Sequence, residues 1–433
     1  METSYETRIV NYALQTCGFY PLRAIQLWIV DSHFTKVKST MMNIGALLKL
    51  DDSIDLERLA AAVNDLLNAY DIFHCRFMFH PGTDDICQRF DGEIAPVTVE
   101  KISDEEFERR KKSLMAPYNI INHALYRIYI FETPTAKYLY VDFYHAIMDG
   151  TAASILFWRE LEMRYRGKKI QRAPLNYADY ILDELKVSPE ELAEGNKFWH
   201  AMLSGFDENK HLPPADVENA QALTNDELIY PIKNITQKYF SDGARKEHIF
   251  FLAASMLAIA KSAGSDSAIM DFVHNGRNTA QERRLMGAML EQYPVRWDFD
   301  RSQSVGNFLD GIEQTMNSCL KYRRSIGTVY SAGLNDTSAT FVFQKKSLGA
   351  INAMKFCGTN AEIIEVPLNE FSVSENTLDI EIHLTDDGTY FVEFAYDAVR
   401  YSEAAMENFA AAFDEIVSAM QDETRAISEI LEG

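Results

Sequence analysis

Long amphipathic patterns alternate with short β-rich runs from one end of this chain to the other, and neither a repeat nor a low-complexity stretch interrupts them. That alternation confines the fold to the mixed α and β class. Asp55 to Tyr70 sets Leu56, Leu59, Val63, Leu66 and Leu67 at helical spacing. Helices are expected likewise over Thr151–Arg166, Pro189–Ser204, Ala244–Ser262, Val305–Tyr322 and Ser402–Met420. Strands are expected over Met42–Leu50, Ile72–Phe79, Leu125–Phe131, Lys137–Tyr144, Ile269–His274, Ser338–Gln344, Leu378–Leu384 and Tyr390–Tyr396.

With 433 residues, the chain exceeds the roughly 250–300 residues that one core usually organises, so two or three domains or one two-lobed unit are expected. The polar stretch Ser204–Glu227, with Pro213 and Pro214, separates two segments that each show helices and strands, and is the best connection between lobes. A second turn-rich segment, Ser325–Asp336, reads as an ordered loop. The formal charge is 42 − 64 = −22, spread along the chain, and a surface of that sign cannot neutralise nucleic-acid phosphates. Cys17, Cys75, Cys87, Cys319 and Cys357 are odd in number and far apart, which argues against a disulfide framework. No secretory signal is visible at the start, and the longest apolar run, the 12 residues Ile249–Ala260, is too short to span a bilayer. A cytoplasmic monomer with no membrane partner is the expectation.

The segment richest in chemistry is Lys137–Arg166, a strand that runs straight into a loop and a helix. Alternation puts Leu139, Val141, Phe143 and His145 on one face and Tyr138, Tyr140, Asp142 and Tyr144 on the other. The imidazole therefore leaves the strand on the apolar side, partly desolvated. Asp149 and Gly150 follow in a turn, and Thr151 is expected to N-cap the next helix. Taken alone, such a histidine is more often a core residue beside an ordinary turn than a catalytic group. His145 and Asp149 are only two ligands with no third at metal spacing, so no metal is expected.

Context changes that weighting. His145 to Gly150 matches the HxxxDG core of the HHxxxDG acyltransferase superfamily, with Tyr144 at the first histidine. Further matches run in order over nearly the whole chain. Tyr20–Gln26 resembles the opening proline-leucine and glutamine pattern, Asp55–Phe77 the helix leading into a strand, and Ala116–Asn119 with Leu125–Arg127 the "PFDL … PLLR" pair. Asn176–Tyr180 resembles the YxDY element, Phe198–Leu203 the "YW…L" helix, Gly276-Arg277 the glycine-arginine pair, and Gly287–Arg296 (GAMLEQYPVR) the "GFFVNTLPLR" element. The tail from Tyr390 to Met420 resembles the last strand, turn and closing helix. The chain thus resembles a condensation domain of nonribosomal peptide synthetases, free-standing or excised.

That resemblance implies two chloramphenicol acetyltransferase-like lobes, 1–180 and 181–433, in a V-shaped pseudo-dimer with the active site in a tunnel between them. It implies an acyltransferase that joins a carrier-bound thioester to an amine. Acyl or peptidyl carrier proteins would be the partners, delivering substrates on phosphopantetheine arms, with no cofactor bound by the chain itself. His145 would serve as general base or as the group that positions the nucleophile. Asp149 would pair with Arg277 to hold the loop, and the Gly150 N–H, beside the helix amino terminus, would approach the oxyanion.

Three departures stand out. Tyr144 replaces the first histidine, Ala69–Cys75 replaces an arginine-rich "RHExLRT", and Glu291 sits where asparagine is common, its carboxylate either facing the tunnel as support or, as the favoured expectation, solvated. The aromatic series Tyr126 to Phe143 is expected to be sheet packing, Arg109–Lys112 and Arg323-Arg324 to be solvated, and His248 and His274 to be structural without identifiable partners. Two rivals stay open: an ester- or amide-forming enzyme acting on a soluble alcohol or amine with a CoA or carrier thioester, and a degenerate docking platform for carrier proteins or tailoring enzymes. The plant-type DFGWG element is missing from the sequence.

Overall fold

A computed structural model describes residues 18–83, 85–168, 176–205, 212–217, 225–243, 245–326, 338–345, 353–369, 371–372, 376–385 and 387–432. Most of the expected connection at 204–227 and the loop at 325–336 lie outside the described residues. The chain divides into two compact units, neither of which is one run of sequence. The first comprises 1–186, 275–290 and 347–372; the second comprises 187–274, 291–346 and 373–433. In place of a single boundary at 180/181, the chain first passes from one unit to the other at 186/187 and crosses between them again at 274/275, 290/291, 346/347 and 372/373.

The first unit is built on a six-stranded sheet in the order Ala353–Phe356, Thr359–Ile364, Asn43–Leu50, Lys137–Tyr144, Tyr126–Glu132, Val99–Lys101. Neighbours are antiparallel except the last pair. Helix Leu56–Ala69, capped by the Asp55 carboxylate on the Arg58 N–H at 3.1 Å, lays Leu59, Val63, Leu66 and Leu67 into the core, as its spacing predicts. Both faces of strand Lys137–Tyr144 are covered. Leu139, Val141 and Phe143 enter the main core, whereas Tyr138 and Tyr140 enter a smaller cluster with Phe107 and Phe131. Tyr138 stacks on Phe107 at 3.7 Å between centroids, so the aromatic series is packing. The expected strand at Ile72 opens as a 3₁₀ turn, Asp71–His74, before strand Arg76–Phe79, which joins Ile86–Arg89 and Tyr20–Pro21 in a small sheet.

The second unit carries a mixed six-stranded sheet in the order Glu291–Asp298, Ser267–His274, Ala339–Gln344, Leu378–Leu384, Tyr390–Asp397, Asn225–Ile232. Its helices Glu247–Ala263, Val305–Lys321 and Glu403–Ala419 share one apolar core with alternate residues of those strands, among them Phe341, Ile380, Ile382, Val392 and Phe394. The apolar run at 249–260 is the buried centre of helix Glu247–Ala263, and Gly264 ends that helix in the left-handed region, at φ 63°.

Candidate active site

The motif loop begins where strand Lys137–Tyr144 ends. Strand pairing stops at Asn43 opposite Tyr144, and the His145 N–H then donates to the Met42 carbonyl at 2.8 Å, which fixes the histidine backbone one step past the ladder. His145 is partly exposed, yet its Nδ1 is buried with no hydrogen-bond partner among the described residues. Burial pushes the imidazole pKa below its ordinary value; its own backbone and Asp149 oppose that more weakly. Burial therefore favours the neutral ring.

Tyr144, at the position of the missing histidine, is a core residue, 1% exposed. Its ring packs edge-on to His33, and its hydroxyl donates to the Ile29 carbonyl at 3.3 Å.

Asp149 organises the loop. Its Oδ1 accepts the Ala152 N–H at 2.7 Å and its carbonyl accepts the Ala153 N–H at 2.8 Å. It is thus Asp149, and not Thr151, that caps the helix; Thr151 already has helical backbone angles, and π-helical Ala152–Leu156 leads into helix Phe157–Tyr165. Asp149 Oδ2 accepts from Met289 N–H at 2.7 Å, Leu290 N–H at 3.1 Å and Arg277 Nη1 at 2.6 Å. The pair expected from sequence is present, with side-chain exposures of 2% for Arg277 and 3% for Asp149. Arg277 also donates to the carbonyls of Asn275, Leu285 and Gly287.

Two glycines make this segment possible. A Cβ on Gly276, at φ +66°, would lie 1.7 Å from the Met289 carbonyl oxygen, and one on Gly287 would lie 2.3 Å from the Tyr177 ring.

Sequence alone left several supports without a role. Gln26 Nε2 donates to the carbonyl of Ala146, beside His145, at 2.8 Å, and forms a reciprocal amide pair with Gln88 at 3.2 and 2.9 Å. Both amides are fully buried, and their remaining positions meet Arg23 N, Pro21 O and Cys75 Sγ. Arg23 makes a bidentate pair with Glu184 and donates to the Ala288 carbonyl at 2.6 Å. On the strand before the motif, Asp142 Oδ2 accepts from Asn43 and Arg127, and Arg127 donates onward to the carbonyls of Ala116 and Pro117. The two stretches that resemble "PFDL … PLLR" are therefore joined by one guanidinium. Burial raises the Asp142 carboxyl to about 6 against the pull of Arg127. In the segment that lacks the family arginines, Asp71 caps helix Tyr177–Glu184 through the Tyr177 and Ala178 N–H groups.

Glu291 belongs to the second unit, and the expectation that it is solvated fails. It is 8% exposed, accepts a hydrogen bond from the Tyr293 hydroxyl, and lies 3.8 Å from His274 Nδ1 and 3.9 Å from Arg323 Nε. The register explains this, because Glu291 and His274 face each other across two paired strands. His274 thus has a partner, and Arg323 is half-buried rather than solvated. Among the described residues no group of three His, Cys, Asp or Glu is arranged to hold a metal ion, and no helix is long and apolar enough to cross a membrane.

Comparison with known proteins agrees with this fold. The Condensation domain family matches residues 16–430. Surfactin synthase subunit 2 of Bacillus subtilis (strain 168) is 21% identical over 316 residues, which is 70% of this chain and 9% of that protein. Among solved structures, the condensation domain of the Monacolin K polyketide synthase MokA superposes with a TM-score of 0.75 at 16% identity, covering 94% of this chain and 99% of the other. The starter condensation domain of the rhizomide synthetase RzmA, a point mutant in complex with C8-CoA, gives 0.72 at 15% identity, covering 97% and 99%. The two units therefore have the fold of condensation domains, related to chloramphenicol acetyltransferase. The chain spans from 5% to 12% of the lengths of the synthetases it resembles.

Proposed function

The chain belongs to the condensation-domain family, and on that footing we propose that it is an acyltransferase forming an amide bond between a carrier-bound thioester and an amine. The observation that carries this reading is the placement of His145: a partly accessible imidazole on a loop held by the buried Asp149–Arg277 pair, where burial favours the neutral ring. With Nδ1 buried, Nε2 is the nitrogen this scheme assigns to the substrate. The amine nitrogen attacks the thioester carbonyl, a C–N bond forms as the C–S bond breaks, and the proton lost by nitrogen passes to Nε2 and then to the leaving thiolate. Gly150 opens the helix behind the loop, and its N–H is the candidate donor to the oxyanion. Asp149, Arg277, Tyr144 and Thr151 support the loop and do not touch substrate in this scheme.

Carrier proteins presenting substrates on phosphopantetheine arms are the proposed partners, and a cytoplasmic setting follows from that partnership. The reading is tested by incubating the chain with carrier proteins loaded with acyl and aminoacyl groups, following product by intact mass. His145→Ala should lower the rate by about 10²–10⁴-fold; equal product from both proteins would overturn the reading. One observation favours a second reading, the docking platform: Tyr144 fills the core where a second histidine would stand. Stable carrier binding with no turnover in the same assay would select it.

A further inference from the structure

The helix-covered face of the second unit's sheet is apolar, so strand alternation sends the polar residues of the same strands to the opposite face. There Asp271, Thr340, Asp379, Glu381, His383 and Glu393 stand on four adjacent strands. Thr340 is directly opposite Asp379 on one side and Asp271 on the other. Glu381 is directly opposite Glu393. Like charges so placed repel one another, and the four strands contain neither lysine nor arginine.

Two groups on this face are incomplete. Thr340 is 5% exposed, and its Oγ1 has no hydrogen-bond partner among the described residues. His383 is 4% exposed, stacks on Phe391 at 4.5 Å, and has neither ring nitrogen in a hydrogen bond among them. Its Nε2 lies 3.3 Å from Glu381 and 3.6 Å from Glu393, contacts that attract only when the ring is protonated. The two glutamates remain about a third exposed, at 30% and 31%. Asp271 and Asp379 already accept amide N–H groups from Gln292 and Asn376.

We propose that this sheet face binds an organic ammonium group, with Thr340 Oγ1 accepting one of its N–H bonds and the Glu381–Glu393 pair supplying the counter-charge. With strands about 4.8 Å apart and residues two apart on one strand about 6.8 Å, the Cα of Thr340 is about 8 Å from that of Glu381 and about 12 Å from that of Glu393, spans that a primary amine between the hydroxyl and the extended glutamate side chains would bridge. An N–H donor satisfies the orphaned hydroxyl in a way a quaternary ammonium cannot. The groups around Glu381 are Glu393, Asp379, His383 and Gln344, and burial raises its carboxyl to about 7. Binding therefore strengthens as pH rises from about 6 to about 8 and Glu381 ionises.

The test of this proposal needs no turnover. Binding of n-butylammonium to the full chain is measured by calorimetry or NMR titration, with n-butanol and tetramethylammonium as controls. The expected result is saturable, salt-sensitive binding of the primary amine, weakened about tenfold by Thr340→Val and by Glu381→Gln, and at least tenfold weaker for both controls. Glu381→Gln relieves repulsion and Thr340→Val is nearly isosteric, so both variants should fold, with circular dichroism as the check. Equal affinity for n-butanol, no saturable binding of n-butylammonium, or unchanged affinity in both variants would overturn the proposal.

Discussion

Replacing Arg277 by alanine removes the only side-chain cation in hydrogen-bond contact with Asp149 among the described residues, and leaves a carboxylate of 3% exposure among backbone groups. Breaking a buried pair from one side costs about 3–5 kcal/mol. Asp149 would keep the N–H groups of Ala152, Met289 and Leu290, which offsets part of that loss. The carbonyls of Asn275, Leu285 and Gly287 would each lose a donor, which adds to it at about 1 kcal/mol apiece where no water reaches them. The net expectation is about 3–5 kcal/mol. Asp149→Asn should cost a similar amount, since it strands the buried guanidinium, and the double variant should fall short of the sum by about 2 kcal/mol or more. Urea unfolding gives the totals. Hydrogen exchange read by mass spectrometry should place the loss in peptides of 140–160 and 275–290 before it appears in the second unit. A loss below about 1 kcal/mol for Arg277→Ala, or strict additivity of the pair, would refute the claim that this ion pair holds the loop.

Gln26→Leu should destabilise the first unit by about 2–4 kcal/mol, because Gln88 and the Ala146 carbonyl are left unsatisfied; denaturant unfolding measures it, and Gln26→Leu with Gln88→Leu should recover part of the loss. Gly276→Ala forces a left-handed backbone and a Cβ onto the Met289 carbonyl, at about 2–5 kcal/mol, seen as a lowered Tm. Because the folded pKa of His145 is depressed, the unfolded chain takes up its proton first as pH falls below the ordinary imidazole range; stability is lost there, and His145→Gln should flatten that limb of a pH–stability profile. In native protein Cys75 and Cys319, buried and with thiol pKa values raised by burial, should resist iodoacetamide, whereas half-buried Cys357, pushed up to about 11, should label slowly; mass spectrometry distinguishes them.

Elements with a strong period were legible in the sequence. Leu56–Ala69, Lys137–Tyr144 and Leu378–Leu384 fall within a residue of where alternation or helical spacing puts them. What periodicity could not give was an end set by a side chain. A Thr at the start of a helix is an ordinary cap, yet Asp149 takes that place because its other oxygen is fixed by residues 277, 289 and 290, far along the chain. Glu291 misled for a related reason. An isolated carboxylate is usually exposed, but strand Glu291–Asp298 was absent from the expected strands, and without it neither the cross-strand His274 nor Arg323 could be seen as neighbours.

The parts of the candidate site differ in how tightly geometry holds them. The parts of the motif that touch backbone are fixed by geometry: Asp149 by four donors, and Gly276 and Gly287 by the absence of room for a Cβ. Tyr144 is different, since its position demands only an aromatic volume and one hydroxyl donor for the Ile29 carbonyl. A histidine could meet the second demand but fills less of the core, so Tyr144 serves here as a packing residue. The sequence shows which residue stands at the first histidine; the bond from the His145 N–H to the Met42 carbonyl shows that the backbone there is held by the neighbouring strand rather than by the Tyr144 ring.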